Sequence, residues 1–393
     1  MIIKPKVRGF ICTNAHPTGC AASVSQQIAY VKQQGELSNK PKNVLVIGCS
    51  TGYGLASRIT AAFGAGAKTL GICFEKEPTE KRTGTAGWYN TAAFHKEAKS
   101  AGLYAKSING DAFSHAIKDQ TIETIKQDLG KIDLVIYSLA SPRRTDPDTG
   151  EAYVSTLKPV GAPVTTKTFD TSKKIVHEIS LEPANQEEID RTVKVMGGED
   201  WEIWLKRLHA AGVLADNCVT SSYTYIGKEL TLPIYGHATI GKAKEDLDRA
   251  ASALKNNYRD IGLKAYVTSL KAVVTQASSA IPVMPLYISL MYQVMKDEGV
   301  HEGVIEQIYG LFSKHLLADN PPLDEAKRLR MDGVETNDHI QGLIKAIWPK
   351  VTTENFPQLG DYDGYNRDFL KLFGFGFDGV DYEADVSPTA NWD

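Results

Sequence analysis

Residues 223–244 gather the side chains with most to offer an oxygen-centred reaction: Tyr223, Tyr225, Tyr235, His237, Lys242 and Lys244. A phenol can donate a hydrogen bond, and then a proton, to an oxygen that gains charge. A neighbouring ammonium can hold a hydroxyl-rich ligand and bias the phenol toward proton release. Tyr235 and Lys244 stand nine residues apart. On one continuous helix that is about 180° of rotation at 3.6 residues per turn, so the two would face opposite ways. Tyr235 is therefore expected ahead of the helix, with Gly236 allowing the bend and the helix starting near Thr239, whose hydroxyl can cap it. Lys242, seven residues on and close to two full turns, would also serve. His237 is assigned no role, and His16, beside Pro17, reads as structural rather than as a base.

Such a pair needs a scaffold that brings a cofactor to it, and the stretch 43–58 has that form. Residues 44–47, Val-Leu-Val-Ile, are a charge-free run of the kind a strand buried on both faces shows. Gly48, Gly52 and Gly54 then make a G-x3-G-x-G array, and Leu55, Ala56, Ile59, Ala62 and Phe63 recur at helical spacing. A strand, a tight turn and a helix aim backbone N–H groups and the positive helix end at one point, where a pyrophosphate can dock. Three glycines also occur in packing turns; the flanking strand and helix favour the nucleotide site, with the spacing of short-chain dehydrogenase/reductases. Glu75 lies 21 residues beyond Gly54, at the end of the next apolar run, where a carboxylate accepts hydrogen bonds from the adenosine ribose. It would repel a 2′-phosphate, favouring NADH over NADPH, although Lys76, Lys81 and Arg82 follow closely. The competing reading of Glu75 is a solvated strand end.

Further strands are expected over 69–74, 104–108 and 132–139, with a helix over 88–101. The alternation predicts an α/β fold built on a doubly wound parallel sheet with right-handed crossovers. The turn 109–112 would pass the adenine, Asp111 bonding its amino group or capping the helix that follows. Residues 143–216 read as a large insertion, within which Trp201, Trp204, Leu205 and Leu208 form a core stripe. Another strand is expected over 219–226, a helix over 238–254 and a strand over 264–275. Helices over 285–295, 301–317 and 339–347 precede a glycine- and aromatic-rich tail from Phe356. Residues 2–11 suit an edge strand pair, and 23–34 a helix. The expected organisation is a single extended Rossmann-type domain over 1–393, with its core at 43–295 and a helical C-terminal extension at 296–393.

A net charge of −3 gives no electrostatic reason to bind nucleic acid. Cys12, Cys20, Cys49, Cys73 and Cys218 are odd in number and scattered, suggesting neither disulfides nor a zinc site, and a cytoplasmic location. The N-terminus has no signal-peptide core. The uncharged run 272–295 is long enough for a bilayer but carries Thr275, Gln276, Ser278, Ser279, Pro282 and Pro285, so it reads as strand, loop and core helix, with no membrane span.

The motifs Gly48-Cys-Ser-Thr-Gly-Tyr-Gly, Gly84-Thr-Ala-Gly-Trp-Tyr-Asn, Tyr137-Ser-Leu-Ala-Ser-Pro-Arg-Arg, Val195-Met-Gly-Gly-Glu-Asp-Trp and Thr275-Gln-Ala-Ser-Ser-Ala-Ile-Pro together resemble the FabV-type enoyl reductases. That family includes the trans-2-enoyl-CoA reductases, and the similarity runs from Met1 into the tail. Its Tyr-x8-Lys spacing selects Lys244 over Lys242. The resemblance implies NADH contacts at Gly48, Cys49, Ser50, Thr51, Gly52, Tyr53, Phe74, Glu75, Asp111, Ala112, Leu139, Ala140, Lys244, Val273, Val274 and Thr275. It implies Tyr225 as the substrate-binding tyrosine and Tyr235 as proton donor. The reaction implied is reduction of the trans-2 double bond of an enoyl thioester, the last step of fatty-acid elongation, without a metal.

In chemical terms, hydride addition at the β-carbon leaves an enolate on the thioester oxygen, and Tyr235, with Tyr225 as a second donor, would hydrogen-bond it. The carrier, acyl carrier protein or coenzyme A, stays open, as does the oligomeric state, with a monomer allowed. A carrier protein would meet a basic patch, for which Arg143 with Arg144, or residues 327–330, are candidates against a solvated charge cluster. Two other functions compete. A short-chain alcohol dehydrogenase keeps the fold and cofactor, but Tyr-x8-Lys and the insertion argue against it. In a catalytically silent NAD-binding regulator, Tyr235 and Lys244 would only pack.

Overall fold

The protein is described by a computed structural model covering residues 1–9 and 11–392. Its centre is a seven-stranded, all-parallel sheet formed by β1 (Asn43–Ile47), β2 (Lys68–Cys73), β3 (Ala105–Asn109), β4 (Ile132–Tyr137), β5 (Leu214–Thr224), β6 (Lys264–Ser269) and β7 (Leu329–Arg330). The spatial order is β7-β6-β5-β4-β1-β2-β3. The chain winds outward from β1 to β3, returns to β4 on the other side of β1, and winds out again. The carboxyl ends of β1 and β4 thus flank the switch point, where ligands of doubly wound sheets bind.

The central strands form because their runs are apolar throughout: Val44, Leu45, Val46, Ile47, Leu134, Val135 and Ile136 are fully buried. Helices α1 (Pro17–Gln34), α2 (Gly52–Ile59), α3 (Ala86–Ser100), α4 (His115–Asp128), α5 (Glu199–Ala210), α6 (Thr239–Asn257) and α7 (Met284–Asp297) include those that cover its faces. The expected stripe on α5 is core, Trp201, Trp204, Leu205 and Leu208 packing in one cluster with Leu45 and Ile47. Among the described residues, no helix is long and apolar enough to cross a membrane.

Several boundaries differ from expectation for local reasons. The β6 ladder ends at Ser269, not at Thr275: Leu270 N still reaches the Thr224 carbonyl (3.0 Å), but the next N–H groups go to side chains, Lys271 N to Gln307 Oε1 (3.2 Å) and Ala272 N to Glu335 Oε2 (2.5 Å). Likewise β2 stops at Cys73, leaving Phe74 77% exposed. Helix α1 starts at Pro17, well before residue 23: the proline takes the first helical positions and His16 Nδ1 accepts from Gly19 N at 3.2 Å. Gly19, within this helix, is needed for packing, since a Cβ there would lie 1.6 Å from the Gly374 carbonyl oxygen. His16 is structural, fully buried and edge-on to Phe375 and Tyr382.

The insertion folds as two antiparallel pairs, Arg143–Thr145 with Ala152–Val154 and Val164–Asp170 with Ile175–Leu181, then the helix Gln186–Met196 and α5. The C-terminal extension contributes helices, as expected, and also the edge strand β7, which two residues were too few to announce. At the N-terminus Val7–Arg8 pairs with Ile11–Cys12; Phe10, inside the expected strand pair, lies outside the described residues.

Candidate active site

Every expected cofactor contact except Lys244 follows the carboxyl end of a parallel strand, so the sheet gathers them along one edge. After β1, Gly48 has φ 86°, and a Cβ there would sit 2.1 Å from the Ser138 carbonyl oxygen of the loop after β4. A Cβ on Gly54 would meet the Gly48 carbonyl oxygen at 1.8 Å, so both glycines are required for the strand-turn-helix closure itself. Thr51 precedes α2 without a side-chain cap, and the first-turn N–H groups of α2 are left for an anion. Tyr53 turns away and donates to the Lys271 carbonyl oxygen at 2.8 Å, tying the glycine turn to the segment after β6.

Glu75, after β2, is half-buried and is held rather than solvated. Ser50 Oγ donates to its Oε1 at 2.5 Å, Thr85 Oγ1 donates to Oε2, and the Asn109 amide brackets its backbone at 2.7 and 2.9 Å. Burial pushes the Glu75 carboxyl above its usual range, while the bonds from Ser50 and Thr85 pull it back. Gly87 makes room: a Cβ there would lie 2.1 Å from Glu75 Oε1.

Asp111, after β3, is not the helix cap. Its Oδ1 accepts from Phe113 N at 2.9 Å, and the cap of α4 is Ser114, which accepts from Ile117 N. The adjoining Ala112 carbonyl accepts from Lys118 Nζ (2.8 Å) and Trp204 Nε1 (3.1 Å), and Lys118 also pairs with Asp200 Oδ1 at 2.8 Å, both charges buried. This Lys118–Asp200 pair, which pins the turn after β3, left no spacing signal in the sequence. Leu139 is half-buried and Ala140 exposed after β4. Val273 and Val274 are buried after β6, and Thr275 caps the short helix Gln276–Ser279.

Tyr235 sits ahead of α6, directly after a 3-10 turn over Leu232–Ile234, as the nine-residue spacing requires. Gly241 allows the two to approach, since a Cβ there would be 2.0 Å from the Gly236 carbonyl oxygen. Helix α6 does begin at Thr239, but its preceding residue is Ala238 and the Thr239 hydroxyl donates instead to the Thr156 carbonyl of the insertion. Lys242 is exposed and paired with Glu245 at 2.9 Å. Lys244 is half-buried and, among the described residues, has no hydrogen-bond or ion-pair partner; burial lowers its ammonium to about 8. Tyr235 is buried, its hydroxyl bonded by no described residue, and burial alone raises its phenol.

Tyr225 packs edge-on against Tyr235, ring centroids 4.8 Å apart and planes at 85°. Its proton is already taken: the hydroxyl donates to Glu335 Oε1 at 2.7 Å. The expectation of Tyr225 as a second donor to the substrate oxygen is therefore not met in this arrangement. Each basic patch is only partly committed: Arg144 is 2% exposed and pairs with Glu199 at 2.7 Å, Arg328 binds Asp248 and Arg330 binds Asp332, while Arg143 and Lys327 are exposed.

Lys244 gives a direct test. Lys244→Met should reduce both turnover and NADH affinity by about tenfold or more, and Lys242→Met should change neither. Because the ammonium is cationic only below about 8, wild-type kcat/KM for NADH should also fall as pH rises through that value. Equal losses in the two variants would remove Lys244 from the site.

The residues present fit a dinucleotide: an uncapped helix start, a tight turn closed by Gly48 and Gly54, and a held carboxylate after β2 where the ribose is expected. The comparisons agree. A model of the NAD(P)H binding domain of trans-2-enoyl-CoA reductase matches residues 2–80, and one of the trans-2-enoyl-CoA reductase catalytic region matches residues 82–317. An enoyl-[acyl-carrier-protein] reductase [NADH] of Idiomarina loihiensis is 69% identical over 392 residues, covering 100% of both chains. That of Pseudoalteromonas atlantica is 69% identical, also over 100% of both. The crystal structure of Treponema denticola trans-2-enoyl-CoA reductase in complex with NAD superposes with a TM-score of 0.95 at 49% identity, covering 100% of this chain and 99% of that one. The Clostridium acetobutulicum trans-2-enoyl-CoA reductase with NADH gives 0.95 at 42%, covering 99% and 98%.

A third model, an enoyl reductase FAD binding domain, matches residues 323–386. The residues there do not fit a flavin diphosphate. The helices Asp338–Ile347 and Tyr362–Lys371 have their first N–H groups capped by Asn337 and Asp361, and each has an aspartate in its first turn. By its glycine turn, its Tyr-x8-Lys pair and full-length similarity at 69% identity, the chain belongs to the FabV-type, trans-2-enoyl-CoA reductase family.

Proposed function

We propose that this chain is an NADH-dependent reductase of the trans-2 double bond of enoyl thioesters, with Tyr235 as proton donor and Lys244 as the cation at the nicotinamide ribose. The observation that carries the assignment of roles is the contrast between committed and free groups. Tyr225 and Lys242 are occupied by Glu335 and Glu245, whereas Tyr235 and Lys244 have no partner among the described residues. NADH, when bound, supplies the hydride to the β-carbon. Tyr235 then meets the thioester oxygen as it becomes an enolate, in a buried place where a fixed donor stabilises charge more than water would. The raised phenol keeps its proton at neutral pH, the state a donor requires. Glu75 receives the adenosine ribose, and Ser50 and Thr85 fix where its oxygens point. Tyr225 contributes its ring as a wall against Tyr235.

Acyl carrier protein is the carrier this reading favours, because the relatives at 69% identity are named for it. The reading also treats the chain as one Rossmann-type domain, since β7 of the C-terminal extension completes the same sheet. It places the enzyme in the cytoplasm, in keeping with five buried free cysteines. The test is to follow NADH absorbance with crotonyl-acyl carrier protein, crotonyl-CoA and a panel of alcohols and ketones. Oxidation of NADH with the enoyl thioesters is expected, with the higher kcat/KM for the protein-bound one. Turnover of ketones alone would mean an alcohol dehydrogenase, and no turnover of any would mean the regulator.

A further inference from the structure

We propose that Glu335 is a positioning residue for the reduction: it accepts the hydrogen bond of the Tyr225 hydroxyl and anchors the Ala272 backbone, so that of the two facing tyrosines Tyr235 is the one whose hydroxyl has no partner among the described residues and can meet the substrate oxygen. The inference rests on the assignment of Tyr235 as proton donor.

Glu335 is fully buried and comes from the C-terminal extension, 110 residues from Tyr225 in sequence. Three donors converge on it: Tyr225 hydroxyl to Oε1 (2.7 Å), Tyr287 hydroxyl to Oε1 (2.8 Å) and Ala272 N to Oε2 (2.5 Å). The direction of each bond follows from counting protons. Gln341 Nε2 donates to the Tyr287 oxygen at 2.9 Å, so Tyr287 spends its own proton on Glu335. Tyr225 has two neighbours, Glu335 and Thr231 Oγ1 at 3.1 Å, and the Thr231 hydroxyl has the Lys228 carbonyl as an acceptor at 3.1 Å. The shorter bond, to a carboxylate, is the stronger, and it takes the phenolic proton.

Two consequences reach the site. The Tyr225 ring, fixed at its hydroxyl, sets the face on which Tyr235 packs at 4.8 Å. The second carboxylate oxygen holds the residue immediately before the expected contacts Val273, Val274 and Thr275, at the point where the β6 ladder has ended. One buried side chain therefore orients both the substrate tyrosine and the segment facing the cofactor. Without it, three buried donors would lose their acceptor.

The test is a double-mutant cycle of Glu335→Gln and Tyr225→Phe, read as kcat and KM for crotonyl-CoA, with thermal unfolding alongside. The amide still accepts from the tyrosines but turns N–H groups toward Ala272 N or the phenols, so Glu335→Gln should lower kcat by about tenfold or more, with a smaller change in KM. In the Tyr225→Phe background the same change should cost about threefold or less, because the route through the Tyr225 hydroxyl is gone and only the Ala272 contact remains to be lost. Equal losses in the two backgrounds, or a lowered unfolding temperature with wild-type kcat, overturn the proposal. Should Glu335→Gln not fold, Glu335→Asp keeps the charge and withdraws it by one methylene, and the same coupling is expected; additive losses there are equally fatal. Tyr235→Phe in the same assay separates the two claims: retained turnover defeats the Tyr235 assignment whatever the cycle shows.

Discussion

Tyr235→Phe is expected to lower turnover by about 10²-fold or more while leaving NADH affinity within about twofold. The structure makes this variant unusually clean. The Tyr235 hydroxyl is bonded by no described residue, so its removal strands no buried partner, and the ring keeps its edge-on contact with Tyr225. Stability should therefore stay close to wild type, and the loss should fall on kcat, because the donor is needed chiefly when charge reaches the substrate oxygen. Tyr225 cannot substitute, since its proton is held by Glu335. Single-turnover kinetics with crotonyl-CoA, together with a fluorescence titration of NADH, measure the two quantities separately. Normal turnover in the variant would refute the role, and a tenfold loss of NADH affinity would mean that Tyr235 instead shapes the cofactor site.

The strands and glycine turn that carry the expected cofactor contacts are legible because their determinants are local. Residues 44–47 announce a strand buried on both faces, the glycines beside them have one backbone purpose, and Glu75 falls where the next strand must end. The nine-residue spacing of Tyr235 and Lys244 likewise forced a break before Thr239, and α6 starts there. Spacing alone does not choose Lys244 over Lys242; the fold distinguishes them by pairing Lys242 with Glu245 in solvent. What was not legible depends on partners distant in sequence. Residues 270–275 are as apolar as β6, and nothing nearby reveals that Gln307 and Glu335 claim the N–H groups of Lys271 and Ala272. Arg144 and Arg143 are consecutive arginines that suggested a surface patch, yet alternation across a short strand buries one and exposes the other. Glu335 lies in a stretch without helical or strand periodicity, and only the tertiary structure shows what it holds.

Glu75→Ala should raise the KM for NADH about tenfold or more. Two ribose hydroxyls bonding one carboxylate make charge-assisted hydrogen bonds worth on the order of 1.5 to 3 kcal/mol together, at about 1.4 kcal/mol per decade. The structure strengthens the case, because Ser50 and Thr85 hold both oxygens and so preorganise the acceptor before any ligand arrives. A consequence is that Thr85→Val, which frees one oxygen but keeps the charge, should weaken NADH less than Glu75→Ala does. The same carboxylate opposes a 2′-phosphate, and Lys76, Lys81 and Arg82 are exposed, with no ion pair among the described residues. Removing Glu75 should therefore improve the use of NADPH while it harms NADH, moving the ratio of their kcat/KM values by about 10²-fold if the two effects are each tenfold. Steady-state kinetics with both cofactors on wild type, Glu75→Ala and Thr85→Val decide it. A wild type that already prefers NADPH, or a ratio unmoved by Glu75→Ala, would mean that the carboxylate held by Ser50 and Thr85 serves the fold of this turn and not the ribose.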